Sequence, residues 1–374
     1  MASGARPLLV VGGYGLVGEQ AARLLRRRHP ELPLLLAGRR PESGARLAES
    51  LGARTVAVDV TDPDPLAGLP DRPAAVLAVV SDPADRLLVA AMRAGLPYAD
   101  VNRAGHAGIL DVAVAAARER PTAPVLLSGS WLAGVSALLA AAAVAELGGA
   151  DSVEITALTS SDDKVGPDSW GFSDRLAWPY YGMRDGARRP THPLTELRTV
   201  RCADGVERPA ALIGTLEQTT LPLTLGVPTV QTRMALQSPA SFYGLVGLKR
   251  SGALRAMARP ALRGLRQALL QRPGTGDFAG LTVTASSGAR TVTVDVLDTR
   301  GQAHLSAAGA ACAAERVLGL TGGALPAGLS FPEQFADSAA DLEILRQAGV
   351  VVRRTGFSTD AVPPSAAVAR EKVA

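Results

Sequence analysis

Residues 8–18 read Leu8-Leu9-Val10-Val11-Gly12-Gly13-Tyr14-Gly15-Leu16-Val17-Gly18, and this stretch decides the fold. Four apolar residues in a row spell a short strand buried on both faces. A segment of helical period follows over 15–29, with Val17, Ala21, Ala22, Leu24 and Leu25 on one side. Between the two lies Gly13-Tyr14-Gly15-Leu16-Val17-Gly18, a G-x-G-x-x-G pattern. In that setting each glycine serves a separate purpose. One allows the tight turn, one lets backbone approach a pyrophosphate, and one lets helix and strand pack closely. The positive end of the helix then faces the anion. With 39 glycines in 374 residues the pattern alone is weak, and a purely structural turn is the rival reading. Its position between strand and helix is what gives it force.

Working outward, apolar runs alternate with helical segments. Strands are expected over 33–37, 54–59, 74–80, 98–101 and 124–128. Helices are expected over 43–52, 83–95 and 105–119. Such alternation of nearly all-apolar strands with helices predicts an α/β Rossmann fold, a doubly wound parallel sheet covered on both faces. The Ala-rich stretch 131–147 contains a Glu and reads as a buried helix, not a membrane span.

The texture changes after about residue 150. Strand-like segments at 151–158, 280–287 and 290–298 suggest an inserted α+β domain with a mixed or antiparallel sheet, its hairpin turning at Ser287-Gly288-Ala289. The region 159–209 reads as loop-rich, and helices are expected over 239–250 and 252–271. An Ala-rich helix over 304–319, a Gly/Pro loop over 322–332 and a helix over 338–347 form the C-terminal part. The expected division is 1–130 (dinucleotide domain), 131–303 (α+β substrate or dimerisation domain), 304–357 (helices returning to the first domain) and 358–374 (disordered tail).

The second strand ends Leu36-Ala37-Gly38-Arg39-Arg40, with no acid before Glu42. An NAD site would carry a carboxylate here for the ribose hydroxyl. Two guanidinium groups instead suit a 2′-phosphate, so the cofactor expected is NADP(H). Strand ends also nominate Asp59 and Val60 near the adenine, and Val80 and Ser81 near the ribose and pyrophosphate. Asn102 joins them, with Asp100 and His106 as weaker neighbours.

Composition excludes several classes. Net charge is +4, with 36 Arg against 3 Lys, scattered and without aromatic interleaving, so nucleic acid is not an expected partner. The patch Lys249–Arg272 reads as a solvated helix face. Cys202 and Cys312 stand alone, and the four histidines have no ligand spacing, so neither a disulfide framework nor a metal is expected. The N-terminus lacks a signal-peptide pattern. A cytoplasmic homodimer acting on a small molecule, with no membrane span, is the expected setting.

Beyond these motifs, the chain resembles the saccharopine dehydrogenase/reductase-like family. The likeness rests on Gly12-Gly13-Tyr14-Gly15-Leu16-Val17-Gly18, Leu36-Ala37-Gly38-Arg39-Arg40, Val58-Asp59-Val60 and Ala94-Gly95-Leu96-Pro97-Tyr98-Ala99-Asp100-Val101. Further on it rests on Ser128-Gly129-Ser130-Trp131-Leu132-Ala133-Gly134-Val135-Ser136, Ala308-Gly309 and Gly328-Leu329-Ser330-Phe331-Pro332-Glu333. Leu132-Ala133 stand where the family usually has Asp-Pro, and 159–275 shows no match. The resemblance implies a Rossmann domain completed by C-terminal helices, an inserted α+β domain, and NAD(P)-linked chemistry at a C=N or C=O bond of an amino-acid-like or secondary-metabolite substrate.

Hydride transfer asks little of the protein beyond positioning and a proton source. The Tyr-x-x-x-Lys pattern of short-chain dehydrogenases is absent. The segment Trp170–Tyr181 concentrates aromatics between charged flanks, which suits either a pocket lining or an interface. Tyr180 and Tyr181 are candidate proton donors, as is His192. Trp131, Trp170, Trp178 and Arg184 are candidate pocket residues, with Arg184 able to hold a carboxylate. His304 reads as a neighbour of a helix cap. Thr215–Val230 suits an apolar pocket or interface, with Glu217 its only charge. Two rival functions stay open: an enoyl or double-bond reductase of a lipid or polyketide pathway, and a non-catalytic NADP-binding redox sensor.

Overall fold

The computed structural model describes residues 5–103, 105–160, 175–257, 259, 262 and 278–358. The first half builds β1 (Leu8–Val11), α1 (Leu16–Arg28), β2 (Leu34–Gly38), α2 (Ala45–Leu51), β3 (Arg54–Ala57), β4 (Ala75–Ala78), α3 (Arg86–Arg93), β5 (Tyr98–Asp100), α4 (Gly105–Glu119) and β6 (Pro124–Leu127). Its strands pair in the order β3-β2-β1-β4-β5-β6, all parallel. β1 and β4 are completely buried, as strands covered by helices on both faces must be.

The chain then crosses through α5 (Val135–Leu147) to a nine-stranded mixed sheet. Its members are β7 (Ser152–Thr159), β8 (Tyr180–Arg184), β9 (Ala187–Thr191), β10 (Arg198–Arg201), β11 (Glu207–Ile213), β12 (Thr229–Leu236), β13 (Ala279–Ser287), β14 (Arg290–Asp298) and β16 (Val351–Ser358). Helices α6 (Glu217–Leu225), α7 (Pro239–Arg250) and α8 (Ala253–Met257) accompany it. α9 (Gln302–Val317) leads back to the first sheet, where β15 (Gly328–Ser330) adds a seventh strand beside β6, and α10 (Ser338–Gln347) follows.

The main apolar core holds residues of both sheets. α5 and α9 lie between the sheets: α5 packs on β13 and β14, and α9 touches β4, β5 and β6 on one side and β13 and β14 on the other. Eleven of the thirteen residues of α5 are buried, so it has no face to leave in water. α9 runs alongside α1 and in the same direction, because Glu315 near its end meets Arg28 and His29 at the end of α1.

The α/β Rossmann architecture with a mixed second sheet and returning helices is the one expected. Several elements differ from expectation, each for a local reason. The loop-rich reading of 159–209 fails over its described part, which holds β8, β9, β10 and the start of β11. β8 and β9 form an edge hairpin carrying Arg184, Arg188, Arg189 and Pro190, so no apolar alternation marks them. Thr215–Val230 is mostly helix α6, disguised by Pro222 inside it. β15 hides in the Gly/Pro loop, and Ser358 ends β16 and is not the start of a tail. The hairpin of β13 and β14 turns at Gly288-Ala289, since Ser287 pairs with Arg290. His304 is no cap neighbour. Gly301 caps α9, and the buried His304 ring bonds the buried Asp298 carboxylate. Trp170, the region 359–374 and most of 258–277 lie outside the described residues. Among the described residues no helix is long and apolar enough to cross a membrane.

Candidate functional site

The parallel sheet reverses its strand order between β1 and β4, which is where open α/β sheets bind ligands, beyond the carboxyl ends of the strands. The glycine turn sits there. Gly12 takes the left-handed φ of +83°, and its N–H donates to Ala37 O at 2.8 Å. A Cβ on Gly12 would stand 2.9 Å from Val79 O, one on Gly13 2.7 Å from Val10 O, and one on Gly18 only 2.1 Å from Gly12 O. Gly15 caps α1 with no side-chain hydrogen bond. A Cβ at Gly15 would meet Gly12 O at 3.2 Å and otherwise open space. The first turn of α1, from Leu16 through Val17 to Gly18, therefore offers uncapped N–H donors at a positive helix end, the requirement for holding a phosphate. Gly12, the glycine that makes the turn, was not among the cofactor residues expected from sequence.

Tyr14 fills a slot made by two further glycines. A Cβ on Gly38 would lie 2.3 Å from the Tyr14 Oη, and one on Gly44 2.5 Å from its ring. The Arg40 N–H donates to Tyr14 Oη at 3.2 Å. Burial raises the Tyr14 phenol above its ordinary value. The Arg39 and Arg40 side chains are exposed beside this slot. They are not unopposed, as the sequence had suggested. β3 runs parallel beside β2, so Asp59 ends up next to Arg39. Hydrogen bonds from Thr61, with help from Arg39, hold the Asp59 carboxyl below the usual range. Val60 follows Asp59, half-buried at the same edge.

At the end of β4, Val80 and Ser81 lead to Asp82, which accepts from the N–H groups of Arg86 and Leu87 at 3.1 and 2.9 Å and so satisfies the free donors of the first turn of α3. At the end of β5, Arg103 spans two carboxylates: Nε donates to Asp100 at 2.9 Å and Nη2 to Asp85 at 2.8 Å. Burial opposes the Arg103 charge, but Asp100 and Asp85 more than compensate and raise its pKa. Burial pushes Asp100 up against the pull of Arg103. The Arg103 side chain crosses Gly129, where a Cβ would stand 2.5 Å away. Asn102 is half-buried next to it, and nothing is described of the His106 side chain.

At the end of β6 the backbone is strained. Leu132 and Ala133 both adopt φ of +56°, and Gly134 follows at +92°. Each non-glycine residue in this region costs roughly 1–2 kcal/mol, so the turn must be held from outside. Ser128 Oγ donates to Ala133 O at 3.1 Å, and the Trp131 N–H donates to Glu217 Oε1 at 2.9 Å. The Ser136 hydroxyl donates to the same oxygen. Trp131 packs between the main core and the cluster under α7. Glu217 on α6 is fully buried, and Glu333, just after β15, is nearly so.

Other candidates gather elsewhere. Tyr180, Tyr181 and Arg184 lie on the β8–β9 hairpin. The Tyr180 ring occupies the space above Gly214, and burial pushes its pKa up to about 12. Tyr181 is exposed, with Arg188 4.8 Å from its ring centre. Arg184 pairs with Glu196 at 2.5 Å. A pocket of about 240 Å³ there is lined by Arg184, Arg189, Pro190, Thr191, His192, Thr195 and Glu196. Trp178 faces Arg255 at 5.1 Å, in a second pocket against α8. Neither pocket includes a residue of the strand-end site. Lys249 bonds the carbonyls of Leu176 and Ala177, so it is not simply a solvated charge. Arg103, Asp85, Ser128 and Glu333 were missed from sequence. The spacing of Asp100 and Arg103 was one available signal for them.

No family model matches the chain, and no curated protein does. Among solved structures, a saccharopine dehydrogenase (L-Glu forming) from Saccharomyces cerevisiae is similar over 94% of this chain and 100% of that one, with a TM-score of 0.65 and 13% identity. A biliverdin reductase from Synechocystis sp. PCC 6803, solved with biliverdin and NADP+, covers 92% of this chain and 96% of its own at a TM-score of 0.41 and 12% identity. A dihydrodipicolinate reductase from Paenisporosarcina sp. TG-14, solved with dipicolinate, covers 88% of this chain and 99% of its own at 0.42 and 10%. The chain has the fold of saccharopine dehydrogenase. The other two are too distant in shape to add to that.

Proposed function

We propose that this chain is an NADP(H)-dependent oxidoreductase that reduces a C=N or C=O bond of a small, polar, amino-acid-like or secondary-metabolite substrate. The observation that carries the reading is the glycine turn opening an uncapped α1 at the strand-order switch, with Arg39 and Arg40 at the neighbouring strand end. These residues fit a dinucleotide: Gly12, Gly13 and Gly18 allow the close packing of the turn, Gly15 faces open space where a pyrophosphate would sit, and the exposed arginines would meet its outer phosphate. When bound, the cofactor supplies the hydride. The protein orients it, excludes water and delivers a proton. Saccharopine dehydrogenase acts through the same fold, and that likeness supports the class of chemistry. The strand ends facing the substrate side carry Asp100, Arg103, Ser128 and Ser130, which favours a polar substrate over the long apolar pocket a double-bond reductase needs. A small-molecule substrate, a cytoplasmic setting and a homodimer go with this reading.

Replacing Arg39 and Arg40 together by Ser is expected to weaken NADPH binding about 10- to 100-fold, the worth of one or two charge-assisted hydrogen bonds, and to leave NADH binding unchanged. Fluorescence titration of both cofactors reads this. A wild-type chain that binds NADH as tightly as NADPH removes the NADP assignment. A screen of amine and keto-acid pairs with NADPH tests the reaction itself. Once a substrate is found, Tyr180→Phe combined with Tyr181→Phe is expected to slow turnover by about tenfold or more if the hairpin supplies the proton. Full activity would eliminate both tyrosines and leave His192 as the remaining candidate.

A further inference from the structure

α9 begins beside the proposed cofactor site. It runs with α1, and the far ends of the two helices meet through Glu315, Arg28 and His29. His304 stands eleven residues before Glu315, and Val17 eleven before Arg28. Both helices rise about 1.5 Å per residue, so His304 comes level with the first turn of α1, where a pyrophosphate would sit. A second contact agrees. A Cβ on Gly309 would stand 2.5 Å from Ala133 O, so α9 crosses the turn that ends β6 at this point. His304 lies about a turn and a half earlier, past the carboxyl ends of β4, β5 and β6, the strands that α9 covers.

The partner of His304 comes from the second sheet. Val292, Val294 and Val296 of β14 belong to the main core, and Asp298 follows on the same face of the strand. Asp298 therefore faces the space between the two sheets, in a row with Ala279 of β13 and Thr159 of β7. It is wholly buried. Its Oδ1 accepts from the Arg300 N–H at 2.9 Å, and its Oδ2 meets His304 Nδ1. A carboxylate can only accept, so Nδ1 turns its hydrogen to Asp298 and Nε2 is left to exchange a proton. The His304 side chain is 9% exposed. Nε2 has no hydrogen-bond partner among the described residues, yet it is not sealed from solvent. A histidine held by a buried carboxylate through one nitrogen, with the other open, has the geometry of a general acid.

We infer that His304 is the catalytic proton donor of the reduction, with Asp298 as the positioning residue that fixes its ring. This rests on the proposed function and adds a donor separate from those on and beside the β8–β9 hairpin. As hydride reaches the carbon of the C=N or C=O bond, the π electrons move to the nitrogen or oxygen, and that atom takes the proton from Nε2. One C–H bond of the reduced cofactor and the Nε2–H bond break. One C–H bond and one N–H or O–H bond form. The cofactor is left oxidised, and the neutral ring regains a proton from water at its open edge.

Diethylpyrocarbonate, which acylates open neutral imidazole nitrogens, tests the placement without a substrate. Peptide mass spectrometry of the wild-type chain at pH 7 is expected to find His304 modified. NADP+ at about ten times its Kd is expected to slow that modification about tenfold by occupancy, with His192 unaffected. Calorimetry on the same samples reports whether NADP+ binds. Binding without protection of His304 overturns this inference alone, whereas absence of binding overturns the proposed function with it. An unreactive His304 in the free protein also overturns the inference. Asp298→Asn, shown folded by circular dichroism, is expected to slow modification of His304 about tenfold, because an amide can turn its N–H to Nδ1 and move the ring hydrogen to Nε2. A mere tie between β14 and α9 would leave that rate unchanged. Once the amine and keto-acid screen yields a substrate, His304→Asn is expected to lower kcat about 100-fold or more and to leave the KM for NADPH unchanged. Full turnover in that variant overturns the inference.

Discussion

Gly18→Ala is expected to weaken NADPH binding by about a hundredfold, the cost of misplacing a binding element by around 1 Å. The new Cβ would stand 2.1 Å from Gly12 O and 2.9 Å from the Gly13 Cα. Both are backbone atoms and cannot swing aside as a side-chain tip would. Either α1 moves away from β1 or the turn at Gly12 opens, and in both cases the N–H donors leave the place where a pyrophosphate would sit. The added crowding is also expected to cost about 1–3 kcal/mol of stability. Titration with NADPH, alongside a circular dichroism spectrum proving the variant folded, separates the two effects. Near-wild-type affinity in a folded variant would mean that the turn does not hold the cofactor. Gly68→Ala is a suitable control, because the space around a Cβ there is empty and its backbone is not in the left-handed region.

Glu315→Ala is expected to destabilise the chain by about 3 kcal/mol, at the lower end of the range for breaking a buried ion pair. Glu315 is wholly buried on α9, while Arg28 keeps some contact with water and retains its bond to Gln347. The carboxylate accepts from Arg28 at 2.5 and 2.9 Å and from Thr321 at 2.8 Å, and His29 stands 3.0 Å away. Burial alone would push Glu315 up, but Arg28, Thr321 and His29 outweigh it and hold its pKa below 4.5. A depressed native value means the contribution is present above pH 4.5 and fades as the carboxylate is protonated below it. The wild-type midpoint should therefore fall faster on acidification than that of Glu315→Gln. Urea unfolding at pH 7 and pH 4 reads both effects, and identical midpoints for wild type and Glu315→Ala at pH 7 would show that α9 docks on α1 through its apolar face alone.

The two halves of the chain were unequally legible in the sequence. β1, β2 and β4 are sheathed by helices on both faces, so their residues had to be continuously apolar, and that signal survives any reading. Gly13-x-Gly15-x-x-Gly18 was legible for the same reason, since a backbone contact admits only glycine. The second sheet has one face turned away from α5, and β9 of its hairpin is exposed along most of its length. Arg188, Arg189 and Pro190 look like loop because they are exposed and follow no apolar alternation. β15 is three residues long and exists only through its pairing with β6. The site was legible where a strand end points at it. Glu217 stood out as a lone charge in an apolar stretch, yet its meaning comes from Trp131, 86 residues earlier, and from Ser136. A contact of that kind leaves no local trace. Asp59 shows the converse error: its carboxylate was visible, but its closeness to Arg39 follows only from β3 lying beside β2.

β15 completes one sheet and β16 the other, and each follows every other strand of its sheet along the chain. A nascent chain that has emerged as far as α5 is therefore a Rossmann layer with β6 as a bare margin and without α9 to cover it. The inserted layer waits likewise with the outer edge of β14, the side not paired with β13, open until β16 is made. Until those strands emerge the chain presents open, sticky borders, the kind of surface that invites aggregation or chaperone capture. Pulse proteolysis of stalled nascent chains should find neither layer resistant until the segment carrying β15 and β16 has cleared the exit tunnel.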